Sequence, residues 1–178
     1  MAAMPAKPRK RTPVRKAAST RKKKAPAARA RTAAARAKPK SAAAKPGKYG
    51  IRTAPRGDRF HEPEMAIRKF ALGLPESSED FPWGHRAFRV NKKVFLFLAW
   101  DAGVFTATAK LPETQSMALT LPFAELTGYG MGKSGWVTAR FSGKDTVPVG
   151  LLVQWIEESY RAVAPRKLAA LVQPTATS

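Results

Sequence analysis

The 178-residue chain has no cysteine, only two histidines, and no acidic residue before Asp58. Without cysteine there is no disulfide, no thiolate metal site and no cysteine nucleophile. A zinc centre would need nitrogen and sulfur ligands that His61 and His85 alone do not supply. A hydrolytic triad would have to use one of those two histidines, and no G-x-S-x-G nucleophile elbow is present. No apolar stretch reaches the roughly eighteen residues of a membrane span. The basic N-terminus is not followed by the apolar segment of a signal peptide. The expectation is therefore a protein that is not an enzyme, holds no metal or cofactor and does not enter a membrane. Absence of cysteine suits a reducing interior, and a cytoplasmic location is expected.

Charge of one sign dominates what is present. Residues 1–50 hold seventeen of the 33 Lys and Arg and none of the 12 Asp and Glu, so the net +21 divides into +17 on this segment and +4 on the rest. Lys7, Arg9, Lys10 and Arg11 open the series, and Arg15 and Lys16 follow. Arg21, Lys22, Lys23 and Lys24 form the densest run, and Arg29, Arg31, Arg36, Lys38 and Lys40 are spaced largely by alanine. Before Tyr49 the large apolar side chains are Met1, Met4 and Val14 alone, too few to offset the entropy of ordering the segment. Prolines 5, 8, 13, 26, 39 and 46 would interrupt any long helix. Residues 1–55 are thus expected to be a disordered polycationic arm, and residues 56–178 one folded domain with a modest core. In composition the arm resembles the tails of linker histones and bacterial histone-like proteins. An acid-free, Arg-rich start also resembles an organelle transit peptide, which the lysine clusters and proline spacing fit less well. A polycation binds polyanions whatever their sequence, so these arm cations are candidate phosphate contacts.

Beyond the arm the pattern is that of an α+β domain. Ile67, Phe70, Ala71 and Leu74 make one apolar helical face over 62–74, ended by Gly73 and Pro75. The stretch 76–85, ESSEDFPWGH, has too many turn formers for regular structure. From Arg86 the period becomes two, with a tight turn at Asn91-Lys92 and a central strand over 94–100 that is apolar on both faces. A turn at 101–103, a third strand over 104–110 and a short helix over 112–119 follow. A Gly-rich loop at 128–135 leads into a strand over 136–141. Pro148 suits the first turn of a long helix that carries Leu152, Ile156, Tyr160 and Val163 inward, with Glu157, Glu158 and Arg161 expected outward. A last short helix falls over 166–172. The expected fold is an antiparallel sheet with helices packed on it.

Four blocks resemble the MmcQ/YjbR-like family: SEDFPWGHRAFRVNKKVF at 78–95, Leu111-Pro112-Glu113, GYGMGKSGWVT at 128–138 and EESYRAVAPRKL at 157–168. The resemblance spans about 62–172 and leaves out the arm. It implies a compact α+β fold whose sheet is like the double-wing DNA-binding arrangement. It also carries a DNA-binding association that rests on that likeness, but no catalytic residues.

The block GYGMGKSG invites comparison with a phosphate loop. Counting back from Gly132 places Thr127 where the first glycine of G-x-x-x-x-G-K-[ST] belongs, and a strand follows where a helix should. The loop is better read as one that lifts Lys133 to solvent. Glu79 and Asp80 are read as ordering the turn by bonding backbone amides, and Trp83 as a buried core or lid aromatic. In the folded part Arg86, Arg89 and Lys93, with Lys92, are the densest basic group and sit among Phe88 and Phe95. Arg86, Arg89, Lys93 and Lys133 are the domain's candidate nucleic-acid contacts. The expected function is non-enzymatic, largely sequence-independent nucleic-acid binding, DNA ahead of RNA, at the nucleoid. The alternative is a protein- or small-ligand-interaction module that the basic tail localises to nucleic acid, so an unknown protein partner stays open.

Overall fold

Two tight hairpins organise the middle of the chain, and both use backbone that few side chains tolerate. The structure is a computed structural model that describes residues 50–173. The arm cations from Lys7 to Lys40 lie outside the described residues. Strand β2 (Arg86–Val90) turns through Asn91 and Lys92, at φ 46° and 65°, into β3 (Lys93–Asp101). Strand β3 turns through Ala102 and Gly103, at φ 48° and 80°, into β4 (Val104–Lys110). Two left-handed residues in a two-residue loop match the twist of the flanking strands, which holds both hairpins in register.

Helix α1 (His61–Gly73) precedes β1 (Ser78–Asp80), and α2 (Gln115–Ala118) and β5 (Ala124–Leu126) precede β6 (Trp136–Ser142). Helices α3 (Val149–Val163) and α4 (Arg166–Ala169) complete the described chain. The strands form one antiparallel sheet in the order β1-β2-β3-β4-β6-β5. Helix α3 lies across β3 and β4, and α1 leans on α3. The architecture is the expected α+β one. Its core is the helix-covered face of the sheet: Phe88, Leu96, Leu98, Phe105, Val137 and Phe141 against Ile67, Leu152, Ile156 and Tyr160.

The family-like residues of α3 act as fasteners for this core. Phe88 pairs with Leu96 and Arg89 with Val94, so Phe95 is the extra residue of a bulge. The Ser159 hydroxyl donates to the Phe95 carbonyl and accepts the Lys110 N–H at 2.8 Å, so one buried side chain serves both backbone groups. The Tyr160 ring meets Phe95 edge-on with centroids 5.3 Å apart, and its hydroxyl donates to the Pro75 carbonyl at 2.7 Å. Burial, with a smaller contribution from Glu76, pushes this phenol's pKa up.

Three local expectations are corrected. Residues 78–80 form an edge strand, because β2 offers them a partner that composition does not reveal. Glu157 and Glu158 do not face outward but are buried. Glu158 accepts the N–H groups of Glu113 and Thr114 at 2.9 and 3.1 Å and the Thr114 hydroxyl at 2.6 Å, so it satisfies the backbone ahead of α2. Strand β3 is covered by helix on one face only, and its other face carries half-buried Phe97.

The domain also ties in chain ahead of residue 56. Arg52 N–H donates to the Gly84 carbonyl at 2.8 Å, and the Arg52 carbonyl accepts Trp100 N–H at 3.4 Å. Buried Ala54 donates its N–H to Glu64 Oε2 at 2.8 Å. These bonds extend the edge of β3 past the start of β2, which gives residues 52–54 partners their composition does not predict.

Candidate nucleic-acid interface

The domain's four candidate nucleic-acid contacts are placed in three different settings. Arg86 points to the helix-covered side, with its side chain 11% exposed. Its Nε donates to Oε1 of fully buried Glu64 at 2.7 Å, and its Nη1 donates to Glu79 Oε1. Glu79 also receives Arg68 through Nε at 3.0 Å and Nη2 at 2.7 Å. Burial by itself would raise the Glu79 pKa, but the hydrogen bonds from Arg68 and Arg86 outweigh it and hold the carboxyl below its ordinary range. The Arg68 pKa rises in turn, chiefly through its bond to Glu79. This chain of four charges ties α1 to β1 and β2. A surface contact by Arg86 is thereby replaced with a structural role, because a phosphate would have to displace two carboxylates. Glu79 is structural as expected, though its partners are guanidinium groups and not amides. Asp80 does accept a backbone amide, that of Phe81, at 2.8 Å.

Arg89 is half-buried and bound: its Nε lies 3.3 Å from Asp80 Oδ2, and its Nη1 donates to the Lys92 carbonyl. Lys93 and Lys133 are exposed and form no ion pair among the described residues. Leu96 pairs with Ala109, and Lys110 with Trp136, so the start of β3 and the start of β6 lie at the same end of the sheet. Lys93 and Lys133 belong to that end, and Arg86 to the other.

The uncovered face of the sheet holds what charge patterning missed. A row in register runs Ala87, Phe97, Thr108, Thr138 across β2, β3, β4 and β6. Phe97 and Thr108 help form the lining of a pocket of about 270 Å³ whose other lining residues are Trp83, His85, Thr127, Tyr129 and Met131. Trp83 and His85 arrive from the β1–β2 connection, and Tyr129 and Met131 from the β5–β6 connection. Trp136 stands beside Phe97 with ring centroids 6.0 Å apart. The hydroxyls of Thr108, Thr138 and Thr127 form a chain with two steps of 3.0 Å.

Trp83 overturns its expected burial: it is 71% exposed. Its φ of 54° places a bulky side chain in the left-handed region, and Tyr129, fully exposed, has φ 55°. The Trp83 turn is held by Gly84 N–H to the Phe81 carbonyl at 3.3 Å and His85 N–H to the Pro82 carbonyl at 3.1 Å. The second wall is held by its glycines. A Cβ on Gly132 would sit 3.1 Å from Leu126 Cβ and Thr127 O, and Gly135, at φ 88°, lies close against Pro112. Burial, then the nearby Arg52 charge, lowers the His85 pKa, which favours its neutral imidazole. The outward threonines of β4 and the tyrosine between Gly128 and Gly130 were the available sequence signals for this face.

The YjbR family profile matches residues 72–162, just over half of the chain. No curated protein and no solved structure matches this chain significantly.

Proposed function

We propose that this chain, which belongs to the YjbR family, binds nucleic acid with little regard to sequence and performs no reaction on it. The observation that carries this reading is the seventeen cations, unaccompanied by any acid, in residues 1–50. Flexible Lys and Arg answer to phosphate charge and carry little base information. Lys93 and Lys133, exposed at one end of the sheet, are the domain's own candidates for added phosphate contacts. The family's DNA-binding association favours DNA over RNA, and a nucleoid-associated place in the cytoplasm goes with it.

The alternative, a protein- or small-ligand-binding module that the arm localises, draws support from one observation. The pocket on the uncovered face is largely apolar, and two of the four candidate contact cations, Arg86 and Arg89, are already engaged. An electrophoretic titration of a random-sequence duplex with the full chain tests the first reading. Binding that is lost with the arm's charges, for instance after lysine acetylation, is the expected result. Absence of binding at low salt transfers the assignment to the second reading.

A further inference from the structure

We propose that the pocket between Trp83 and Tyr129 is a stacking site for one unpaired base of a single-stranded nucleic acid. This rests on the reading of the arm as a phosphate-binding element. Four features of the pocket carry it.

The first is the price in conformation of displaying the rings. A bulky residue in the left-handed region is strained, and such strain persists where the surroundings enforce it, often at ligand sites. Trp83 recovers little of that strain through burial, since 71% of it faces solvent. The second is shape. At about 270 Å³ the pocket falls just under the ~300–1,000 Å³ of sites for drug-sized ligands, room for a single ring system. Exposed aromatic faces on an open sheet are the platform on which single strands stack, because every base has a π-face.

The third feature is a small set of free polar groups. Three threonine hydroxyls joined by two hydrogen bonds use two of their three protons, which leaves one O–H for a ligand. The neutral His85 imidazole, with no hydrogen bond among the described residues, adds a donor or acceptor for a base edge. The fourth is the attachment of the arm. The Arg52 N–H is bonded to the carbonyl of Gly84, the residue between Trp83 and His85, so the chain that follows residues 1–50 in sequence passes the rim of this pocket. A strand held by the arm is thereby tethered near the rings at high effective concentration. Lys133 stands exposed two residues beyond Met131 in the chain.

The full chain is titrated with three labelled ligands at one moderate salt concentration: a short oligothymidylate, an abasic strand of the same length, and a duplex. Trp83→Ala and Tyr129→Ala are measured alongside, with Trp83→Phe as the conservative variant and melting curves as fold checks. The expected result is that oligothymidylate binds more tightly than the abasic strand. Each alanine variant should lose roughly five- to a hundredfold of that affinity. Duplex and abasic affinities should not move, and Trp83→Phe should retain most of the preference. Equal affinity for oligothymidylate and abasic strand, with duplex binding intact, overturns the stacking site and leaves the arm reading standing. No affinity for any of the three overturns both. A change in tryptophan emission on removing residues 1–50 without nucleic acid, absent in Trp83→Phe, assigns the pocket to the arm itself and also overturns the proposal.

Discussion

Arg86 and Glu64 form a buried ion pair, Nε to Oε1 at 2.7 Å, between the first strand of the central hairpins and the first helix. Glu64 spends its other oxygen on the amide of Ala54, so the same carboxylate holds the entry of the chain into the domain. A basic residue in a family-like block is thereby committed to the fold. It also links the segment that bears the arm to the sheet.

Arg86→Met should destabilise the domain by about 3–5 kcal/mol, the usual cost of leaving buried carboxylates without their partner. Duplex affinity at a temperature where the variant is folded should stay unchanged. Urea denaturation and a gel-shift titration read the two quantities separately. A fully stable variant with weakened binding would return Arg86 to the surface role that its charge suggests.

Glu79 predicts an acid-sensitive part of the stability. Its folded pKa lies below the ordinary carboxylate value, because the bonds from Arg68 and Arg86 outweigh burial. The stabilisation is therefore complete above the unfolded pKa and fades as the pH falls through the folded one. Glu79→Gln should be less stable than the parent at neutral pH, and the two should converge in acid. Denaturation midpoints across an acid pH series test this, and parallel curves would exclude it.

The elements were legible from the sequence where a single period governs them. The apolar face of α1, the two hairpins and the long helix with Tyr160 inward all follow from spacing and turn residues. What was not legible depends on partners distant in sequence. Periodicity turned Glu158 outward because it carries no information on the unpaired amides of Glu113 and Thr114. Composition grouped Arg86 with Lys93, although the sheet sends one to the buried face and leaves the other in water. Trp83, expected as a core or lid aromatic because of its family-like block, is exposed on a left-handed backbone turn that its residue type does not reveal.

Ser159→Ala should cost about 1–3 kcal/mol, because it leaves the Lys110 amide and the buried Phe95 carbonyl at the bulge without their shared partner. Hydrogen exchange at the Lys110 amide should accelerate more than at strand positions that keep their bonds. Tyr160→Ala, which removes the largest fully buried side chain, should cost about 3–5 kcal/mol. Thermal melts rank the two, and neither should alter the salt response of binding while the protein is folded.

The salt response itself separates the arm from the domain. Each neutralised phosphate contributes about −0.9 to the slope of log K against log salt on a duplex. If about 6–10 of the arm's cations engage together, affinity of the full chain should fall by roughly 10³–10⁵ between 50 and 200 mM salt. Residues 51–178 keep the Arg52 and Ala54 bonds to the domain, so removal of residues 1–50 should leave the circular dichroism of the fold in place. The truncated chain retains a net charge of only +4 and has Arg86 and Arg89 engaged, so its slope should be far shallower. Base-edge recognition would leave a preference between a chosen and a scrambled duplex that survives at high salt, since it depends less on counterion release. None is expected from an arm of Lys, Arg, Ala and Pro. A nearly flat salt response in the full chain would remove the polycation mechanism and leave the protein- or ligand-binding reading in its place.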